Sequence, residues 1–205
     1  MKSPSEDAII HSINNSIGIF CAHMNKNMLD SDKIDQIIKK MALEIIEQCQ
    51  NLSKVAFVGI RTRGAFLADR LKKEVRAVSG VDVLLGILDI TLYRDDLSEK
   101  GVQAIVQTTE IDFDVTGAEL FLIDDVLFSG RTVRAAMDAL IDFGRPKYIK
   151  LCVLVERGYR ELPLQPDFVG FSIETEYTDK VLVRLSEVDG EDKVVLGKAS
   201  DFLEQ

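Results

Sequence analysis

Residues Leu120-Phe121-Leu122-Ile123-Asp124-Asp125-Val126-Leu127-Phe128-Ser129-Gly130-Arg131-Thr132 constrain this chain more than any other stretch. Four apolar residues in a row read as a buried strand, and they deliver two adjacent acids to its carboxyl end. A loop with Ser129 and Gly130 follows and leads straight into a helical pattern, with Val133, Ala136, Met137, Leu140 and Ile141 on one face. Strand, acid pair, small-residue loop and helix, in that order, describe the ligand-binding end of an open α/β sheet. Loop amides and a helix N-terminus suit a phosphate dianion, and Ser129 and Thr132 add hydroxyl donors. Ionised Asp124 and Asp125 are acceptors only, which suits sugar hydroxyls, and their charge can stabilise a developing cation.

The same alternation runs along the chain. Asp30-Ser31-Asp32 precedes Ile34, Ile37, Ile38, Met41, Ala42, Ile45 and Ile46, so the spacing predicts an amphipathic helix over 32–49 behind a good N-cap. Val55 to Ile60 reads as a buried strand, Arg61-Thr62-Arg63-Gly64 as a turn, and Ala65, Leu67, Ala68, Leu71 and Val75 as a second helix. Further strands are expected over Val83–Ile90, Glu119–Ile123 and Ile149–Val155. Residues 94–112 are polar and read as a long loop with room for edge strands, a kind of segment that inside a compact domain is usually functional or disordered. Two β-rich stretches, Phe168–Ile173 and Lys180–Leu185, are expected to cover one end of the sheet. The fold class is therefore α/β, a mostly parallel central sheet flanked by helices. The expected division is an N-terminal extension over 1–30, one domain over 31–190 and a C-terminal tail over 191–205.

Bulk properties narrow the function. The formal net charge of −9 over 205 residues argues against broad electrostatic binding to nucleic acid. No apolar run reaches the roughly 18 residues a membrane helix needs, and the start MKSPSEDAII does not resemble a secretory signal. Cys21, Cys49 and Cys152 lack metal-ligand spacing and read as free thiols of a cytoplasmic protein. His11 and His23 stand isolated and are expected at the surface. Two arginines beside a glycine after a buried strand, at Arg61, Arg63 and Gly64, suggest a second anion site.

The stretch 120–132 resembles the phosphoribosyl-pyrophosphate signature of type I phosphoribosyltransferases. Together with Asp89–Leu97, Gly59–Gly64, Arg134–Leu140, Asp142–Pro146 and Val153–Pro163, it looks like one subfamily, the bifunctional pyrimidine-operon attenuation regulators with uracil phosphoribosyltransferase activity. The resemblance covers about residues 30–190. It implies a type I phosphoribosyltransferase fold with a small hood. It further implies that Asp124 and Asp125 hold or stabilise the ribose, and that Val126, Leu127, Phe128, Ser129, Gly130, Arg131 and Thr132 hold the 5′-phosphate. Thr62, Arg63 and Gly64 match the pyrophosphate loop, whose unusual cis peptide would here be Thr62–Arg63. Arg94 opens, with Asp95 and Asp96, the loop that closes over substrate. Arg157 matches the residue beside the base pocket, and Val181 the one offering it backbone hydrogen bonds. Magnesium, held mainly by the substrate, is the implied cofactor, and a homo-oligomer, a dimer, the implied assembly.

The second activity fares less well. Relatives that bind messenger RNA carry histidines where this chain has Leu43 and Tyr159, and Glu174–Lys180 replaces a Ser/Lys-rich segment, although Lys39, Lys40 and Arg160 remain. RNA is thus the weaker partner. The expected function is formation of UMP and pyrophosphate from uracil and 5-phosphoribosyl-1-pyrophosphate, with a pyrimidine-operon regulatory role second. The alternatives are an RNA-binding attenuator with secondary enzyme activity and a transferase for another base.

Overall fold

Leading strands of unbroken apolar sequence end up where both faces are covered. In the computed structural model, which describes residues 26–93 and 108–202, all six residues of β2 (Val55–Ile60) are buried, as are the first six of β4 (Glu119–Leu127). With β3 (Leu84–Leu88), β5 (Tyr148–Arg157) and β6 (Phe168–Ile173) they form a five-stranded parallel sheet in the order β3-β2-β4-β5-β6. Successive side chains of each strand go to opposite faces. Phe57, Phe121, Ile123, Cys152 and Leu154 therefore pack under α1 (Ser31–Gln48) and α2 (Arg63–Ser79). Ala56, Val58, Leu120, Leu122 and Val153 pack under α3 (Arg131–Ile141). Asp30 caps α1 as its sequence predicts, its side chain accepting from the Lys33 amide at 3.1 Å, a contact worth about 1 kcal/mol.

A second sheet has three strands in the order β1-β8-β7, all antiparallel: β1 (Lys26–Leu29), β7 (Asp179–Arg184) and β8 (Lys193–Lys198). A short helix, α4 (Ser186–Asp189), lies between β7 and β8. This is the expected hood, and it crosses both boundaries set at residues 30 and 190: β1 comes from the extension and β8 from the tail. Leu29, Val183, Leu185 and Val194 join the hood to the apolar cluster under α1 and α2.

Two elements differ from their sequence reading. Phe168–Ile173 was expected over the end of the sheet; it is instead the fifth parallel strand, Cys152 pairing Phe168 and Arg157 pairing Ile173. β4 runs on past Ile123 to Leu127, because β5 also runs on and keeps it paired through Val126 with Val155 and Leu127 with Glu156. The acid pair consequently sits inside the strand and not beyond it. The expected loop over 94–112 is described from residue 108 on, where Glu110 makes an antiparallel bridge to Ile87 on the edge strand; Arg94, Asp95 and Asp96 lie outside the described residues.

Candidate functional site

At the carboxyl ends of β2 and β4 the chain leaves in opposite directions, toward β3 on one side and β5 on the other. The crevice between neighbouring strands is open at such a point. Asp124 and Asp125 stand there. Asp124 is only 5% exposed, and its Oδ1 accepts the Asp125 amide at 3.0 Å. Asp125 Oδ1 accepts the Val126 amide at 2.9 Å. Burial pushes the Asp124 carboxyl well above its ordinary value, and the adjacent Asp125 charge adds to it. Burial raises Asp125 as well, against the hydrogen bond from Asp124 and the positive charge of Arg63. Two carboxyls this close titrate as a unit, and the more exposed Asp125 is the one placed to meet a ligand.

Two loops flank the pair. After β2 the Arg61 amide still bonds to Leu88 O at 2.9 Å, and the next peptide, Arg61–Thr62, is cis. The expected position was Thr62–Arg63; Arg63 is already the first residue of α2, so the irregular bond falls one residue earlier. Gly64 then crosses directly behind the acids. A Cβ at Gly64 would lie 2.4 Å from the Ile123 carbonyl oxygen and 3.2 Å from Asp124 Cα. Only a residue without a side chain lets the loop approach β4 this closely.

The loop after β4 is held from behind. Arg160 Nη1 donates to the carbonyls of Phe128 at 2.6 Å and Leu127 at 3.3 Å, and also to Arg157 O at 2.6 Å. Its Nη2 meets Glu156 Oε1 at 2.6 Å. Ser129 O accepts the amides of Glu161 and Leu162. Gly130 takes φ +92° just before α3, with no side chain capping the helix. With the carbonyls engaged on one side, the amides of the loop and of the helix start, where Arg131 N already bonds weakly to Ser129 Oγ at 3.4 Å, are the groups suited to an anion. Leu127 is buried in the cluster under α3, and Val126 packs against the cluster on the other face of the sheet, so neither offers more than backbone. Arg131 turns its side chain to Glu161 at 2.6 Å. Thr132 lies in the first turn of α3.

Arg157 forms the wall toward the hood. It is 4% exposed, lies 4.1 Å from the centre of the Phe128 ring, and donates to Asp179 O at 2.6 Å and Glu176 O at 3.0 Å. Its Nε is buried without a partner among the described residues. Burial lowers its pKa. Tyr177 packs on Phe128 and Tyr159 on Tyr177, with ring centres 5.8 and 5.5 Å apart. Val181 lies two residues beyond Asp179, in β7 and opposite Leu196.

A family model described as phosphoribosyl transferase domain matches residues 24–187. The chain is 47% identical to the Bifunctional protein PyrR of Elusimicrobium minutum, over 84% of this chain and 97% of that one. It is 48% identical to the protein of the same name from Deinococcus radiodurans, over 85% and 96%. The chain belongs to the phosphoribosyltransferase family, among the PyrR proteins. Its fold is also that of a hypoxanthine-guanine phosphoribosyltransferase from Bacillus anthracis, with TM-score 0.63 at 18% identity, over 86% of this chain and 99% of that one. A hypoxanthine phosphoribosyltransferase from Staphylococcus aureus gives 0.64 at 16%, over 86% and 94%.

Within this phosphoribosyltransferase the structure gathers Asp124, Asp125, Thr62, Arg63, Gly64 and residues 126–132 around one crevice, with Arg157 and Val181 at the hood side. Sequence reasoning missed Asp189, which holds Arg63, and Arg70, which binds Glu187 at 2.6 Å and Asp192 at 2.8 Å. A signal existed in the spacing: Arg63 and Arg70 are seven apart, two helical turns, and so share a face of α2. Arg160 was grouped with basic residues of an RNA face; it is turned inward instead, onto four acceptors.

Proposed function

We propose that the protein transfers the ribose phosphate of 5-phosphoribosyl-1-pyrophosphate to uracil, giving UMP and pyrophosphate. The observation that carries this reading is the raised, buried acid pair set between two anion-suited loops at a switch point of the sheet. The 5′-phosphate sits on the amides of 128–132, and the pyrophosphate on Thr62, Arg63 and Gly64. Asp124 and Asp125 accept the ribose hydroxyls. The bond from C1′ to the pyrophosphate oxygen breaks as the bond from C1′ to uracil N1 forms, through an oxocarbenium-like state. The Asp125 carboxylate stabilises that positive charge. Pyrophosphate leaves with the bonding electrons, and the proton of uracil N1 passes to solvent water.

Arg157 and the backbone of Val181 flank the base. The acid pair offers hard carboxylate oxygens, so the residues present fit a magnesium ion carried mainly by the donor's own oxygens. When bound, that ion neutralises charge on the leaving pyrophosphate. The working form in this reading is a cytoplasmic dimer, in keeping with the free thiols of Cys49 and Cys152. No helix among the described residues is long and apolar enough to cross a membrane.

A product assay with the sugar donor and a panel of bases tests the reading. UMP from uracil is expected, and product only from a purine or from orotate would replace it.

A pyrimidine-operon regulatory role accompanies the activity, supported by relatives named bifunctional and by exposed Lys39 and Lys40 on α1. Its RNA surface is sparse: Leu43 and Tyr159 are exposed where relatives place histidines, and Arg160 is committed elsewhere. A gel shift of a pyrimidine-leader hairpin, with and without UMP, measures it. Nanomolar binding tightened by UMP would make regulation the primary function.

A further inference from the structure

The hood does more than cover the sheet, because it holds a residue of the pyrophosphate loop. Arg63 donates from Nε to Asp189 Oδ2 at 3.1 Å and from Nη2 to Asp189 Oδ1 at 2.7 Å. A guanidinium has two such edges, Nε with one Nη and the pair of Nη atoms. Asp189 occupies the first. Among the described residues no side chain bonds to Nη1, while the positive charge of Arg63 is felt at Asp125. Asp189 is itself fixed: its Oδ2 accepts the Leu185 amide at 2.9 Å, and its amide bonds to Leu185 O at 2.7 Å. On either side of it Arg70 grips Glu187 and Asp192. The carboxylate is thus a fixed point, its segment tied to α2 two residues before and three residues after it.

We infer that Asp189 is a positioning residue for the leaving pyrophosphate: it holds one edge of Arg63 so that the other edge is set to receive the anion. The inference rests on the transfer reaction proposed above. It makes the hood part of the donor site and not only of the base site. Uracil binding involves Arg157 and Val181, so a defect at Asp189 is specific to the donor.

Calorimetric titration of the full chain with inorganic pyrophosphate and magnesium, beside steady-state kinetics, tests it. Asp189→Asn keeps the shape and removes the charge. It should weaken pyrophosphate binding and raise the donor KM about tenfold, the loss of one charge-assisted contact, with kcat and uracil KM little changed. Asp189→Glu should recover part of the loss. Arg63→Lys keeps the charge but has no second edge, so it should reproduce the defect even if Asp189→Asn folds poorly. In an Arg63→Ala background, Asp189→Asn should change nothing further. Unaltered or tighter pyrophosphate binding in Asp189→Asn, additive losses in the double variant, or a parallel rise of both KM values would overturn the inference. Should the wild type make no nucleotide from any base, the transfer reading fails, and the pyrophosphate titrations still decide the role of Asp189.

Discussion

The parallel sheet and the hood face each other across the site, and they are held by different forces. In the sheet, β2 and the first part of β4 are buried residue by residue, and burying each aliphatic side chain contributes roughly 1.5–3 kcal/mol. In the hood, β1 carries two exposed residues of four and α4 buries none. Much of what ties the hood to α2 is charge: Arg63 to Asp189, and Arg70 to Glu187 and Asp192. The acid pair thus rests on a strand held by apolar burial, whereas Arg63 rests on a hood carboxylate held by charge.

Breaking the sheet side should have the largest effect. Asp125→Asn is expected to reduce UMP formation by about 10²–10³-fold, the range seen when one group stabilising a transition state is lost. The circular dichroism spectrum should be unchanged. Near-normal turnover would separate the acid pair from the chemistry. Gly64→Ala should come next. Its Cβ would overlap the Ile123 carbonyl oxygen, so the loop after β2 must move, and a shift of order 1 Å costs about a hundredfold in rate. Activity and melting temperature measured together check this, since both should fall.

The hood side should give smaller numbers with a pH signature. Arg70→Ala leaves Glu187 and Asp192 facing each other, both partly exposed, and should cost about 1–2 kcal/mol, or roughly 3–6 °C in Tm. Hydrogen bonds from Arg70 hold both carboxyls below their ordinary values. Their contribution is therefore present above the unfolded carboxylate range and is lost as pH falls through the lowered values. The Tm gap between wild type and variant should close below about pH 4, and a gap that persists in acid would assign the loss to packing.

The smallest effect sharpens the comparison from the other direction. Asp124→Asn should raise Tm by a few degrees, a change on the order of 1 kcal/mol, while activity falls. The native carboxyl is raised by burial, so wild-type stability declines as pH rises from the unfolded value of about 4 through the raised one. Asn carries no such penalty. The stability advantage of the variant should grow across that window, measurable by thermal melts at a series of pH values. A variant less stable at neutral pH would show that the charge is compensated in the native state.

The strand, acid pair, loop and helix of 120–132 were legible because every piece has a local signal: an apolar run, a turn residue, a 3.6-residue period. The same holds for α1 with its Asp30 cap and for β2. Strand ends were not legible, since β4 continues through its acids only because β5 continues beside it. Nor was the place of Phe168–Ile173, whose apolar run suits a fifth sheet strand as well as a cover.

By itself, the sequence determined the family to which the chain belongs and that a parallel sheet brings Asp124 and Asp125 to its carboxyl end. Tertiary structure alone decided that β1 and β8, from opposite ends of the chain, build the hood. It also decided that Arg160 turns inward and that Arg63 belongs to Asp189, 126 residues away. Such contacts leave no periodic trace in the chain, because a charged pair formed across the fold depends on where two backbones come to rest and not on what surrounds either residue in sequence.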